Sequence, residues 1–220
     1  MDYIISILPQ MWLGTIETLK LFFITIVLSI PLGILLALAR VSSLGSLRSA
    51  VGVYVWLLRG TPLMLQLLFV YYGLPFIPGI GIRMDDFQAA IFAFVLNYAA
   101  YFCEIFRGGI LSVDKGQYEA AKVLGYSRLQ SFFRVQLPQI FKNVMPSLTN
   151  EFVTLVKDTS IAKVIAVSLD NRTILHVAEK QVSGMVSLDP YIMALVFFLI
   201  FNGVVEQTCK WIERRMNYYR

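Results

Sequence analysis

Arg59 and Glu151 are opposite charges set in long apolar stretches of a 220-residue chain. A charge at the bilayer centre costs about 2.5–3.5 kcal/mol on insertion scales, so each implies a partner or a water-filled path. Together they match a zwitterion, a guanidinium for a carboxylate and a carboxylate for an ammonium, by charge-assisted bonds about twice as strong as neutral ones. Other polar residues fall in the same apolar stretches. Between 139 and 167, Asn143, Ser147, Asn150, Glu151, Thr154 and Asp158 project within about 100° of one helix face. Glu151 lies about 18 Å along that helix from residue 139, and Pro146 should kink the helix below it. Between 87 and 110, Asn97, Tyr101 and Glu104 share about 60° of arc, with Arg107 a turn beyond Glu104. Arg59 and Gln66 share a face across the irregular Gly60-Thr61-Pro62. These spacings predict a mid-membrane substrate path lined by Arg59, Thr61, Asn97 and Glu151, with Gln66, Tyr101 and Asp158 as further candidates. The competing reading is interhelical packing, with Arg59 pairing Glu151 or Asp158. Glu104 and Arg107 read instead as an intrahelical ion pair.

The elements that must position these residues are membrane helices. Hydrophobic residues make up 57% of the chain and charged residues 15%, with mean hydropathy +0.68, outside the soluble range. An all-α integral membrane fold follows, one domain over residues 1–220, with five spans of about 20 apolar residues or more: 15–39, 49–73, 87–110, 139–167 and 188–211. The opening MDYIISILPQMW lacks a basic, cleavable leader and reads as an interfacial lead-in. Trp56, Tyr71, Tyr72, Trp211, Tyr218 and Tyr219 fit interfacial belts.

Basic residues fix the direction. With the N-terminus outside, the inner segments hold Arg40, Arg48, Lys115, Lys122, Arg128, Arg134, Lys142, Lys210, Arg214, Arg215 and Arg220, against Arg83, Arg172 and Lys180 outside. The C-terminus and the polar stretch at 113–138 are then cytoplasmic. Lys157 and Lys163 snorkel or line the outer mouth. The surplus of 19 basic over 14 acidic residues supports this orientation and shows no nucleic-acid-binding pattern. Cys103 and Cys209 lie in separate apolar segments, and His176 has no paired His or Cys nearby in sequence, so no disulfide or metal site is expected.

Within the cytoplasmic stretch, Gln117–Val123 should be helical, Gly125 should end that helix, and Ser127 should cap a second one reaching Val135 before Leu137 and Pro138. Leu124, Tyr126, Leu129, Phe132 and Phe133 make it a docking element or a hairpin on the inner leaflet. Glu119-Ala120-Ala121, three residues, Gly125, nine residues, then Val135-Gln136-Leu137-Pro138 resembles the EAA loop of ATP-binding-cassette importer permeases, with Val135 where Ile is usual. Arg59-Gly60-Thr61-Pro62-Leu63, Glu104 to Ile110 and Asn150-Glu151-Phe152 resemble the polar amino-acid branch of that family.

The resemblance implies a type I importer permease fold in a bacterial cytoplasmic membrane. It implies that Glu119, Ala120, Ala121, Gly125, Leu137 and Pro138 couple to an ATPase subunit present in two copies. A second permease chain, identical or related, and an extracytoplasmic binding protein delivering a polar amino acid complete the expected assembly. ATP and Mg would sit on the ATPase, for this chain has no phosphate-binding GxxxxGK[ST] loop and no catalytic motif. The competing function is an ion-gradient-driven amino-acid carrier or channel, which the intramembrane acids would suit. Against it, five spans offer no obvious inverted repeat.

Overall fold

The computed structural model describes residues 2–79, 81–166, 173–184 and 188–216. Among them the regular structure is helical throughout. Arg172, Tyr218, Tyr219 and Arg220, used above for orientation and the aromatic belt, lie outside the described residues.

The central element is α4 (Asp86–Leu111), capped by the Asp85 carboxylate, which accepts from the Gln88 N–H at 2.7 Å. Ala89, Ala90, Ala93, Ala99 and Ala100 are all buried on it, and such small side chains let neighbouring backbones come close. The first helix, α1 (Asp2–Val41), lies along α4. It begins at Asp2, so the expected lead-in is part of one continuous helix, and Pro9 and Pro31 are absorbed within it. Hydroxyls in its buried face bond back to the backbone: Thr15 to the Met11 carbonyl at 2.9 Å and Thr18 to the Gly14 carbonyl at 2.8 Å.

The second predicted span is two helices, α2 (Gly45–Gly60) and α3 (Leu63–Leu68), the latter continuing through a wide turn and a 3-10 turn to Phe76. They bend by 104° at Thr61-Pro62. Pro62 has no N–H to give the Leu58 carbonyl four residues back, so the ladder breaks there.

The polar stretch at 113–138 forms α5 (Lys115–Val123) and α6 (Arg128–Ser131). Gly125 lies at φ +79°, and the N–H groups of Gly125 and Tyr126 donate to the Lys122 and Ala121 carbonyls, both at 3.0 Å. That is a left-handed glycine closing the helix in a Schellman motif. Ser127 caps α6 reciprocally with Gln130. The chain does not stop before Leu137. It widens by a residue over Phe132–Gln136, the Leu137 N–H reaching the Phe132 carbonyl, and runs straight into α7 (Leu137–Asp158). Pro138 therefore sits in the first turn of a helix, where its missing N–H costs little.

α7 passes through Pro146 unbroken and tightens to a 3-10 turn over Thr159–Ile165. Then come α8 (Ile174–Gly184), packed on α1 and α9, and α9 (Asp189–Met216), packed mainly on α7. The Ile174 N–H donates to Thr18 Oγ1 at 3.1 Å, tying the start of α8 to α1. Lys163, after α7, pairs with Glu179 of α8.

Three of these helices, α1, α4 and α9, are long and apolar enough to cross a membrane, and the bent pair α2–α3 makes four. α7 has 22 residues but carries Lys142, Glu151, Lys157 and Asp158, which set it apart from the apolar helices.

Candidate functional site

The polar side chains of α2, α4 and α7 line two neighbouring cavities. One, of about 460 Å³, is bounded by the break after α2, by Asn97, Tyr98 and Tyr101 of α4, and by Glu151, Thr154 and Asp158 of α7. The other, of about 370 Å³, reaches from Glu104 of α4 and Ser112 just past its end to Asn143 and Ser147 of α7, toward the α5–α6 loop. Arg59, Tyr101 and Glu151 border both.

Arg59 is exposed at the last turn of α2, its guanidinium 5.1 Å from the centroid of the Tyr101 ring. This is cation–π distance, and it holds the charge over the cavity. Among the described residues, Arg59 forms no ion pair with Glu151 or Asp158. Their charges remain available to a third party.

Asp158 accepts a hydrogen bond from the Tyr98 hydroxyl at 2.7 Å. Tyr98 is 1% exposed and was not foreseen. In sequence it is one more aromatic beside Phe94 and Phe102, and only its coincidence in depth with Asp158 could have marked it. Glu104 and Arg107 form the expected intrahelical pair, doubly bonded at 3.1 and 2.6 Å. Arg40 at the end of α1 joins them, its Nε 3.5 Å from Glu104 Oε1. The available signal was that Arg40 and Glu104 both fall toward the C-terminal ends of their helices. Asn143 donates to the Ser112 hydroxyl at 2.8 Å, closing the second cavity at the end nearest the α5–α6 loop.

Thr61 and Gln66 meet at the break itself. The Thr61 hydroxyl donates to the Leu57 carbonyl at 2.8 Å and accepts from Gln66 Nε2 at 2.7 Å. Gln66 faces away from the Arg59 cavities and borders an apolar cavity between α2, α3 and α4. Asn97 is buried, on the wall of the larger cavity, and its amide nitrogen reaches the Leu58 carbonyl at 3.1 Å. Thus Arg59, Thr61, Asn97, Tyr101, Glu151 and Asp158 come together around one space, and Gln66 stands behind it.

On the loop, Glu119 and Ala120 are exposed and Ala121 is buried. Val123, Leu124, Leu129 and Phe133 are exposed around them. Lys122 and Arg128 border a smaller notch of about 250 Å³ with Tyr118 and Tyr126. Four large apolar side chains on a polar loop make a patch suited to a protein partner.

Residues 29–218 match the family model described as binding-protein-dependent transport system inner membrane component. The chain is 36% identical to the L-cystine transport system permease protein TcyB of Bacillus subtilis, covering 94% of this chain and 86% of that one. It is 35% identical to the arginine transport system permease protein ArtQ of the same organism, over 95% and 93%. With the putative glutamine transport system permease protein GlnP of Rickettsia conorii it shares 39%, over 98% of each. Among solved structures, an amino acid ABC transporter crystallised with histidines superposes with a TM-score of 0.85 at 32% identity, covering 97% of both chains. The MetNI methionine transporter, at 19% identity and a TM-score of 0.71, shares the fold. The all-helical architecture is thus that of ABC importer permeases, and the chain is a multi-pass inner-membrane transport subunit rather than a catalyst. It belongs to the binding-protein-dependent permeases of the polar amino-acid branch of ABC importers.

Proposed function

We propose that this permease passes a polar amino acid between Arg59 and Glu151 by alternating access, driven by an ATPase held on the α5–α6 loop. The observation that carries the reading is that both residues border both cavities without pairing with each other. A zwitterion supplies the two missing counter-charges. Thr61, Tyr101 and Asp158 complete the wall of the upper space, and Ser112 and Asn143 that of the lower.

Permeases of binding-protein-dependent ABC importers assemble with ATPase subunits and a periplasmic binding protein. For this chain we take two ATPase copies, holding ATP and Mg, on the loop centred on Glu119, Ala120, Ala121 and Gly125 and on the Leu137-Pro138 entry to α7. We take α7 as the fifth span. Its 22 residues reach about 33 Å, enough for the hydrocarbon core, and its polar face turns to the cavities rather than to lipid. Ser147, Asn150 and Thr154 are exposed on that face, so a second permease chain is expected to cover them. The basic α5–α6 loop and the end of α9, with Arg214 and Arg215, face the cytoplasm in this arrangement, with the N-terminus outside.

Proteoliposomes holding the permease, its ATPase and its binding protein test the reading directly. Uptake should require ATP on the loop side and persist when ion gradients are collapsed. Uptake that follows the gradient and ignores ATP would make the chain an ion-coupled carrier instead.

A further inference from the structure

Breaking a helix inside a membrane leaves backbone carbonyls that need donors, and water is not there to supply them. At the 104° bend the orphan is the Leu58 carbonyl, whose helical partner would be the N–H that Pro62 lacks. Two side-chain amides fill the place. Gln66 Nε2 lies 2.8 Å from the Leu58 oxygen and 3.1 Å from the Thr61 oxygen, and Asn97 Nδ2 lies 3.1 Å from the Leu58 oxygen. Carbonyl oxygens only accept, so these contacts fix which way each amide is turned. The Gln66 amide oxygen is then free to accept from Asn97 Nδ2, and does so at 3.0 Å. One residue away, the Tyr54 hydroxyl donates to the Leu96 carbonyl at 2.7 Å. The end of α2 and the start of α3 are fastened to each other and to α4.

We infer that Gln66 and Asn97 are positioning residues, an amide clamp that holds the broken α2–α3 span open and thereby sets Arg59 over the substrate path. Arg59 directly follows the doubly bonded Leu58, and among the described residues its side chain makes no hydrogen bond or ion pair, so its place depends on the Tyr101 ring and on the backbone beneath it. Gln66 borders neither cavity that Arg59 lines, which separates its role from substrate contact. The proposal rests on the substrate path described above and deepens it.

The test uses the complete importer in proteoliposomes, with the radiolabelled amino acid that it accumulates best among the twenty. Gln66→Leu, and Gln66→Glu, which keeps the shape but loses the donors, should each raise the KM of uptake about tenfold while the importer still assembles with its ATPase. In an Arg59→Ala background the same changes should add nothing further. An unchanged KM in both Gln66 variants, or an additive loss beside Arg59→Ala, overturns the clamp. If Arg59→Ala alone leaves uptake intact, the substrate-path reading falls. The clamp is then judged without transport, by the rate at which a charged methanethiosulfonate modifies the thiol introduced by Arg59→Cys. Gln66→Leu should change that rate at least about fivefold, and an equal rate with and without Gln66→Leu overturns it.

Discussion

The Tyr98 hydroxyl donates to the Asp158 carboxylate at 2.7 Å, joining α4 to the last turn of α7 where that helix tightens into its 3-10 extension. The phenol is fully packed, so its hydroxyl has no alternative partner in water. Tyr98→Phe keeps the ring and removes the hydrogen bond from α4 to that carboxylate. It should cost about 1–3 kcal/mol, read as a lowered melting temperature of the solubilised complex. No fall in melting temperature would mean that Asp158 is satisfied from the cavity side.

Charge removal at the shared wall should act on transport rather than on assembly. Glu151→Gln and Arg59→Gln each leave a zwitterion with one uncompensated end. We expect uptake efficiency, kcat/KM, to fall about 10- to 100-fold, while copurification of the ATPase is unaffected. Intact uptake by Glu151→Gln in a folded assembly would remove it from the path and return it to helix packing.

α1 and α4 approach each other closely at Gly33. A Cβ on Gly33 would lie 2.6 Å from the Cβ of Phe102 and 3.2 Å from the Cys103 nitrogen, both rigid parts of α4. Gly33→Ala should destabilise the protein by about 1–3 kcal/mol. Gly203 on α9 has no atom within 4 Å of its would-be Cβ, so Gly203→Ala should be neutral or stabilise by up to about 1 kcal/mol. Thermal unfolding of the two single variants, side by side, checks both signs.

The loop has its own conformational requirement. Gly125 holds φ +79°, where an L side chain costs roughly 1–2 kcal/mol. Gly125→Val should loosen the turn between α5 and α6, weakening ATPase attachment and uptake together, as measured by copurification and vesicle uptake. Gly108→Ala, outside the loop at an open position, should leave ATPase attachment unchanged.

Much of this was legible in sequence because it is periodic or local. The α7 stripe from Asn143 to Asp158 follows from helical spacing, and Glu104–Arg107 from a three-residue interval. Gly125 and Ser127 announce their turn and cap by residue type, and Pro62 announces the break after α2. What sequence does not carry is the answer to each local demand from elsewhere in the chain. The orphaned Leu58 carbonyl could be anticipated from Pro62, but its donors, Gln66 and Asn97, are 8 and 39 residues away. Both amides read instead as path residues because they are polar and membrane-embedded. Tyr98 was hidden by the opposite ambiguity, an aromatic ring that passes for core. The run from Phe132 into α7 was missed because Pro138 reads as a stop, and a wide turn just before it turns the same proline into a start.

That widened turn leaves no slack between the loop and α7. The polypeptide that emerges from Ser127 is one rod up to Asp158, and Glu151 rides on it 14 residues above Leu137, at roughly 21 Å. Tilting such a rod at its foot by only about 5° swings the carboxylate sideways by roughly 2 Å, enough to separate it from anything bridging it to Arg59. A small tilt at the proline threshold is thus levered into a large displacement at Glu151, as a tiller turns about its fulcrum.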